Sequence, residues 1–401
     1  MDIGQLINSI LNDPDQVFVL TKAFVVGKFP EGAQPLVSIL LSILPILSVF
    51  PGLFALTTIL ERKGLGRIQN RMGPNRVGPF GILQPVADGI KALIKEDVVP
   101  RAADKVVHFL APVVIVIPVI MSYAVLPVGR NMVAIDLDAG LLFFFAVGAS
   151  TELAVFMAGW SSRNKYSLLG AMRAIGQMIS YEIPLILSAI TVVMAVGSLS
   201  TTSMVDAQAG YYGWLPNWYV FTPWGFAGFL LFLTAATAES NRSPFDIPEG
   251  ESEIIAGYFV EYSGFKFALF FLGEYLGLFA VSGLAITLFL GGWHAPLPFL
   301  EWIPSWCWFF VKLMCFIVLF IWLRGTLPRL RQDQLMNFAW KFMLPLTLIN
   351  IVVAGIWRFL EPGMLRWAVC AAILAAAYVL LARGLTAARG VAPREYRYAE
   401  N

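Results

Sequence analysis

Between residues 239 and 264 the chain reads ESNRSPFDIPEGESEIIAGYFVEYSG. Six carboxylates (Glu239, Asp246, Glu249, Glu251, Glu253, Glu261) surround one arginine, Arg242, between two apolar runs long enough to cross a bilayer. Carboxylates crowded in this way cannot all ionise independently and titrate as coupled groups, which is how a proton-handling site is built. Pro244, Pro248 and Gly250 prevent one continuous helix. Asp246-Ile-Pro-Glu249 resembles a capping box that would start a short surface helix with acids in its first turn. An acidic, solvated helix start is therefore the competing reading of the same residues.

The elements that must position this stretch are apolar. The 401 residues are 58% hydrophobic and only 13% charged, with mean hydropathy +0.73, whereas a soluble domain has about a quarter of its residues charged. These values predict an all-α, polytopic membrane protein. Nine segments have spanning length: Leu36 to Leu60, Val106 to Leu126, Leu137 to Gly159, Ile179 to Leu199, Tyr219 to Ala238, Phe265 to Phe289, Trp306 to Leu323, Trp340 to Phe359 and Leu365 to Leu381. Each covers a hydrocarbon core of about 30 Å at about 1.5 Å per residue. Val17 to Val26, interrupted by Lys22, is too short to span and is expected to lie in the interface. The start Met1-Asp2-Ile-Gly lacks the basic region of a secretory signal.

Basic residues crowd one set of connections: Arg62, Lys63, Arg67, Arg71 and Arg76, then Arg163 and Lys165, Arg242, Arg324, Arg329 and Arg331, and the tail Arg389, Arg394 and Arg397. The opposite connections carry only Lys22, Lys28, Arg130 and Arg366. The positive-inside rule then puts the large loops and the C-terminus inside and the N-terminus outside. Three units follow: an interfacial segment 1–35, a helix core 36–359 with inner loops 61–105, 160–178, 239–264 and 324–339, and a further helix with basic tail over 360–401.

In the first inner loop, glycines and prolines from Gly73 to Gly81 impose a tight path that holds Arg62, Arg71 and Arg76. An amphipathic stretch follows, with Ile82, Val86, Ile90, Leu93 and Ile94 on one face and Gln84, Asp88, Lys91 and Lys95 on the other. A basic loop drawn to anionic lipid is the simpler reading, but lipid attraction needs charge and not a rigid path.

Four glutamates line up by depth from the inner surface. Glu239 ends helix five, Glu182 lies about one turn into helix four, Glu152 about 10 Å down helix three, and Glu274 about 14 Å down helix six. An intramembrane carboxylate costs a few kcal/mol on insertion scales, so a graded series reads as a proton or ion path. The alternative is that each is protonated or paired, with Lys312 as one partner unless it snorkels outward. Cys307, Cys315 and Cys370 form no CxxC pair, and His108 and His294 cannot clamp one haem between them. With no GxGxxG, no Walker-A loop and no Cys/His metal spacing, a redox centre, nucleotide or metal would belong to a partner chain.

Four long blocks in order carry a resemblance: QNRMGPNRVGPFGILQPVADGIK after Glu61-Arg-Lys, GWSSRNKYSLLGAMRAIGQMISYE, ESNRSPFDIPEGESEIIAGYFVEYSG, and LRGTLPRLRQDQLMNFAWKFMLPLTL. From about Leu36 to Phe359 the chain resembles the H-subunit family of the proton-pumping NADH:quinone oxidoreductase, respiratory complex I, whose mitochondrial counterpart is NADH dehydrogenase subunit 1. The resemblance implies a multi-pass component of the bacterial inner membrane that binds no cofactor itself. It also implies quinone as substrate, with FMN and iron-sulfur clusters in partner subunits.

The expected partners are the peripheral-arm quinone-site and terminal iron-sulfur subunits, the small and antiporter-like membrane subunits, and lipid, with no nucleic acid. On matching positions, Arg62, Arg71, Arg76, Arg242 and Asp246 would shape the quinone chamber, and Glu182, Glu239, Glu249, Glu251 and Glu274 would form the acidic path. Glu152 matches bacterial members better than mitochondrial ones. Ser243 stands where alanine or threonine is commoner. The rival readings are the related membrane component of an ion-pumping hydrogenase and a stand-alone secondary transporter, whose site would lie at the midplane between broken helices.

Overall fold

The chain is described from a computed structural model, which covers residue 5 and residues 8–10, 13–247 and 256–387. Among the described residues it is all-helical apart from a two-stranded hairpin, β1 (Tyr211–Tyr212) and β2 (Leu215–Pro216). The helices are α1 (Val17–Val26), α2 (Gln34–Ile68), α3 (Gln84–Ile94), α4 (Lys105–Ser122), α5 (Gly140–Ser161), α6 (Lys165–Val196) and α7 (Thr201–Asp206). They continue with α8 (Pro223–Glu239), α9 (Gly264–Phe289), α10 (Ser305–Thr326), α11 (Gln332–Phe338), α12 (Leu344–Phe359) and α13 (Met364–Ala387). Among the described residues, eight helical stretches are long and apolar enough to span a membrane. The run expected as the fifth span forms α8, whose 17 residues fall just short of that length because Tyr219–Phe221 is a separate 3-10 turn and Thr222 caps the helix. At about 1.5 Å per residue α8 is still about 26 Å long.

Local sequence sets the helix ends. Asp104 accepts from the N–H groups of Val106 and Val107 to start α4, and Asn164 accepts from Tyr166 N–H to start α6. These caps satisfy donors that a helix start leaves unpaired. Because α6 begins at Lys165, the stretch 160–178 expected as a loop is irregular only around Ser162 to Asn164. Glu182 consequently sits near the middle of a 32-residue helix, not in its first turn. The cause is legible: from Lys165 to Ser180 no residue breaks a helix, and hydropathy alone marks where α6 turns apolar and not where it starts.

Helix α9 is the most buried span and forms the centre of the bundle. Helices α5 and α6 meet through small residues: a Cβ on Gly159 would stand 2.3 Å from that of Ala171, the close approach that small side chains permit between membrane helices. The loop between α2 and α3 has the tight path expected of it. Gly81 has φ +76°, and any side chain there would collide with Pro74 O at 2.3 Å. Helix α3 follows as an amphipathic helix whose Val86, Ile90, Leu93 and Ile94 remain exposed. At the opposite end of α10, Ser305 N–H donates to Asp15 Oδ1 at 2.6 Å and Phe18 packs edge-on against Trp306, which fixes α1 and the turn ahead of it.

Candidate functional site

The described residues that follow α8, 240–247, do not form a solvated surface turn. Ser240, Asn241, Arg242, Phe245, Asp246 and Ile247 are all buried. Gln177 on α6 holds the loop by donating from Nε2 to the carbonyls of Ala238 and Phe245, each at 2.7 Å. Glu249, Glu251 and Glu253, together with Pro248 and Gly250, lie outside the described residues.

Arg242 is the hinge of the charge arrangement. Its guanidinium lies 3.9 Å from the ring centroid of Tyr275 on α9, and its Nη1 is 3.6 Å from Oε1 of Glu61 on α2. Glu61 also pairs with Arg324 at the end of α10 and accepts from Tyr275 O–H at 2.5 Å. One buried carboxylate thus joins α2, α9, α10 and the acidic loop. Burial acts to lower the Arg242 pKa, but Tyr275, Glu61 and Glu274 together outweigh it and raise the value. The guanidinium is cationic at every physiological pH. Sequence reasoning places Glu61 at the start of a loop, names Arg324 and Arg329 only as basic residues of the loop 324–339, and gives Tyr275 no role. The signal available is Glu61 itself, an acid at the head of a strongly basic run.

A second ion pair closes the loop: Arg329 Nη2 is 2.6 Å from Asp246 Oδ2, while Asp246 Oδ1 is buried without a hydrogen bond among the described residues. Burial raises the Asp246 pKa, and Arg329, Arg324 and Arg242 oppose the shift without overcoming it. Removing the arginine should therefore harm more than removing the acid's charge. Arg329→Gln is expected to cost about 2 kcal/mol, below the range for a fully buried pair because Arg329 is 40% exposed. Asp246→Asn should cost about half that. Thermal unfolding of the assembled protein in both variants checks the order.

The four glutamates within helices separate into a pair and a cavity. The carboxyls of Glu152 on α5 and Glu182 on α6 stand within electrostatic range of one another. Glu239, at the end of α8, is within electrostatic range of both. Glu239 and Glu274 line one pocket of about 70 Å³ with Ser122, Thr151, Asn241 and Tyr258. It has room for a few water molecules and polar groups to hold them. Tyr258 donates its O–H to Glu274 Oε1 at 3.0 Å, and Glu239 Oε2 faces no hydrogen-bond donor among the described residues. Polar contacts of this kind are what a proton needs to pass between carboxyls. Lys312 pairs with none of these acids: its part-buried Nζ donates to the carbonyls of Leu290, Gly292 and His294, past the end of α9, at 2.7 to 2.8 Å.

Arg62, Arg71 and Arg76 lie outside the buried cluster. Arg62 pairs with Asp88 of α3 at 2.5 Å, Arg71 donates from Nε to Gln69 Oε1 at 2.7 Å, and Arg76 is exposed. Lys63 Nζ donates to Phe80 O and, with Arg62, ties α2 to the loop and to α3. Asn164 Nδ2 donates to Glu261 at 2.7 Å, which anchors the far end of the acidic stretch to α6.

Long apolar helices with carboxyls at their middles, closed at one end by a buried cluster of arginines and acids, define a polytopic membrane protein that holds ionisable groups inside its bundle. The chain belongs to the NADH dehydrogenase family, whose profile matches residues 41–355. It is 51% identical over 305 residues to the H subunit of an NADH-quinone oxidoreductase from Dehalococcoides mccartyi, covering 76% of this chain and 82% of that one. The H subunit from Geobacillus kaustophilus is 50% identical over 305 residues, 75% of this chain and 89% of the relative. The one from Polaromonas naphthalenivorans is 41% identical over 354 residues, 86% and 97% of the two chains.

Proposed function

We propose that this chain is the H subunit of a proton-translocating NADH:quinone oxidoreductase in a bacterial inner membrane. Its inner loops shape the chamber that a membrane quinone enters, and its carboxyls begin the path that couples quinone reduction to proton movement. The observation that carries this reading is the position of Arg242, which is buried against the Glu61 and Tyr275 cluster and lies within electrostatic range of Glu274.

Electrons come from centres in partner subunits, flavin and iron-sulfur clusters. A quinone that accepts two electrons takes up two protons to become the quinol, and the negative charge that precedes protonation acts on the nearest ionic groups. Asp246 and the Arg242 cluster are those groups in this chain. A change in their charge balance alters the field at Glu274, and the cavity offers Glu239 and then the Glu152 and Glu182 pair as the next proton holders. Glu249 and Glu251 belong to the same path by their place in the acidic stretch. Arg62, Arg71 and Arg76 act at the entrance, where Arg62 fixes α3 against α2.

The test is affinity purification of the tagged chain from native membranes in mild detergent. The expected preparation contains flavin, iron and several further membrane subunits, and has inhibitor-sensitive NADH:quinone activity. A chain that emerges alone, folded and able to exchange ions in liposomes would contradict the proposal.

A further inference from the structure

A second cleft, of about 830 Å³, opens between α8, α10, α11 and α13. Its walls differ in character. Leu233 of α8, Leu323 and Leu327 at the end of α10, and Leu385 of α13 make one side apolar. On the other side Gln334, Asn337 and Lys341 recur at spacings of three and four residues, which places them in one stripe along α11 and the π-helical turn Ala339–Met343. Asp333 also lines the cleft but lies 3.9 Å from Arg331, whereas Lys341 is exposed and makes no ion pair among the described residues. The polar stripe thus offers an uncommitted cation above a greasy trough.

Depth narrows the occupant further. Trp322 and Trp340, each about half exposed, flank the cleft in sequence. Tryptophan collects where headgroups meet hydrocarbon. In sequence, Arg324 and Arg329 adjoin the lining residues Leu323 and Leu330, in the connections where basic residues concentrate. An occupant must therefore be an amphiphile with long apolar chains and an anionic group at headgroup level. A quinone supplies the chain but not the anion, and a soluble nucleotide or sugar supplies no chain.

We infer that this cleft binds an anionic phospholipid of the inner leaflet, acyl chains along Leu233, Leu323, Leu327 and Leu385 and phosphate beside Lys341. The inference does not depend on the redox assignment. It has a structural consequence, because Pro244 and Phe245 also line the cleft and Leu330 N–H donates to Pro244 O at 3.0 Å. The lipid would pack against the outer side of the loop that carries Arg242 and Asp246.

The experiment uses the whole assembly purified with this chain, reconstituted in phosphatidylcholine bilayers doped with phosphatidylglycerol bearing a photoreactive acyl tail. A phosphatidylcholine analogue with the same tail is the control. Labelled peptides are expected to fall within 323–330 and 334–341. Lys341→Gln should lower the anionic labelling about fivefold and leave the control labelling unchanged, the effect of one basic residue near a charged headgroup. Leu327→Trp, which fills the trough, should remove both. Equal labelling in wild type and both variants would overturn the inference. So would labelling of the cleft by a photoreactive quinone but not by phospholipid, or an increase in labelling on removal of residues 388–401, which would make the tail the occupant.

Discussion

Replacing Glu61 by glutamine is expected to lower quinone-linked turnover at least about tenfold and to destabilise the assembled protein by about 3 kcal/mol, the usual cost of breaking a buried ion pair from one side. Glutamine keeps the size of the side chain and can still accept from Tyr275. What it removes is the carboxylate that pairs with both Arg242 and Arg324. Arg242 is 9% exposed and its Nη2 already has no hydrogen-bond partner among the described residues, so it cannot turn to water for compensation. Glu61→Asp retains the charge at a shorter reach and should fall between the two. Thermal unfolding and quinone reduction measured on the three proteins check the order, and a Glu61→Gln protein with wild-type turnover and stability would remove Glu61 from the site.

The second large effect is expected at Glu239 and is of a different kind. Glu239→Gln should leave assembly and thermal stability within about 0.5 kcal/mol of wild type, because Oε2 accepts no hydrogen bond among the described residues. Quinone-linked turnover should nonetheless fall about a hundredfold, the scale of a lost proton-transfer group. Infrared difference spectra should lose one carboxyl C=O band. Loss of stability in parallel with loss of turnover would make Glu239 a packing residue of the cavity wall and not a proton holder.

Much of this arrangement is legible in the sequence. The apolar runs locate the spans, the glycines and prolines between Gly73 and Gly81 locate the constrained inner loop, and the acids of 239–264 locate the loop around Arg242. What the sequence does not display is pairing across distance. Glu61 meets Arg324, 263 positions away, and Tyr275, 214 positions away, and no local periodicity records such contacts. Asp246 and Arg329 are separated in the same way, 83 positions apart.

Depth at Glu182 is hidden for a related reason. Hydropathy detects where a helix becomes apolar, and α6 begins about four turns before that point, at Lys165 rather than Ile179. The place of Lys312 is likewise decided only in three dimensions. Its length suits either a glutamate partner or the outer surface; in the fold it donates instead to three backbone carbonyls beyond the end of α9.

The central claim is that carboxyls of this chain link quinone reduction to proton movement, and Glu274 tests it most directly because it lines the cavity with Glu239 and interacts with Arg242. The measurement is proton translocation per quinone reduced, in proteoliposomes holding the assembled complex with wild-type chain or with Glu274→Gln. Electron transfer from NADH to a water-soluble acceptor serves as the internal control. The account predicts that the variant keeps the control activity and loses most quinone-linked proton translocation and turnover. Unchanged pumping and turnover in Glu274→Gln would contradict it.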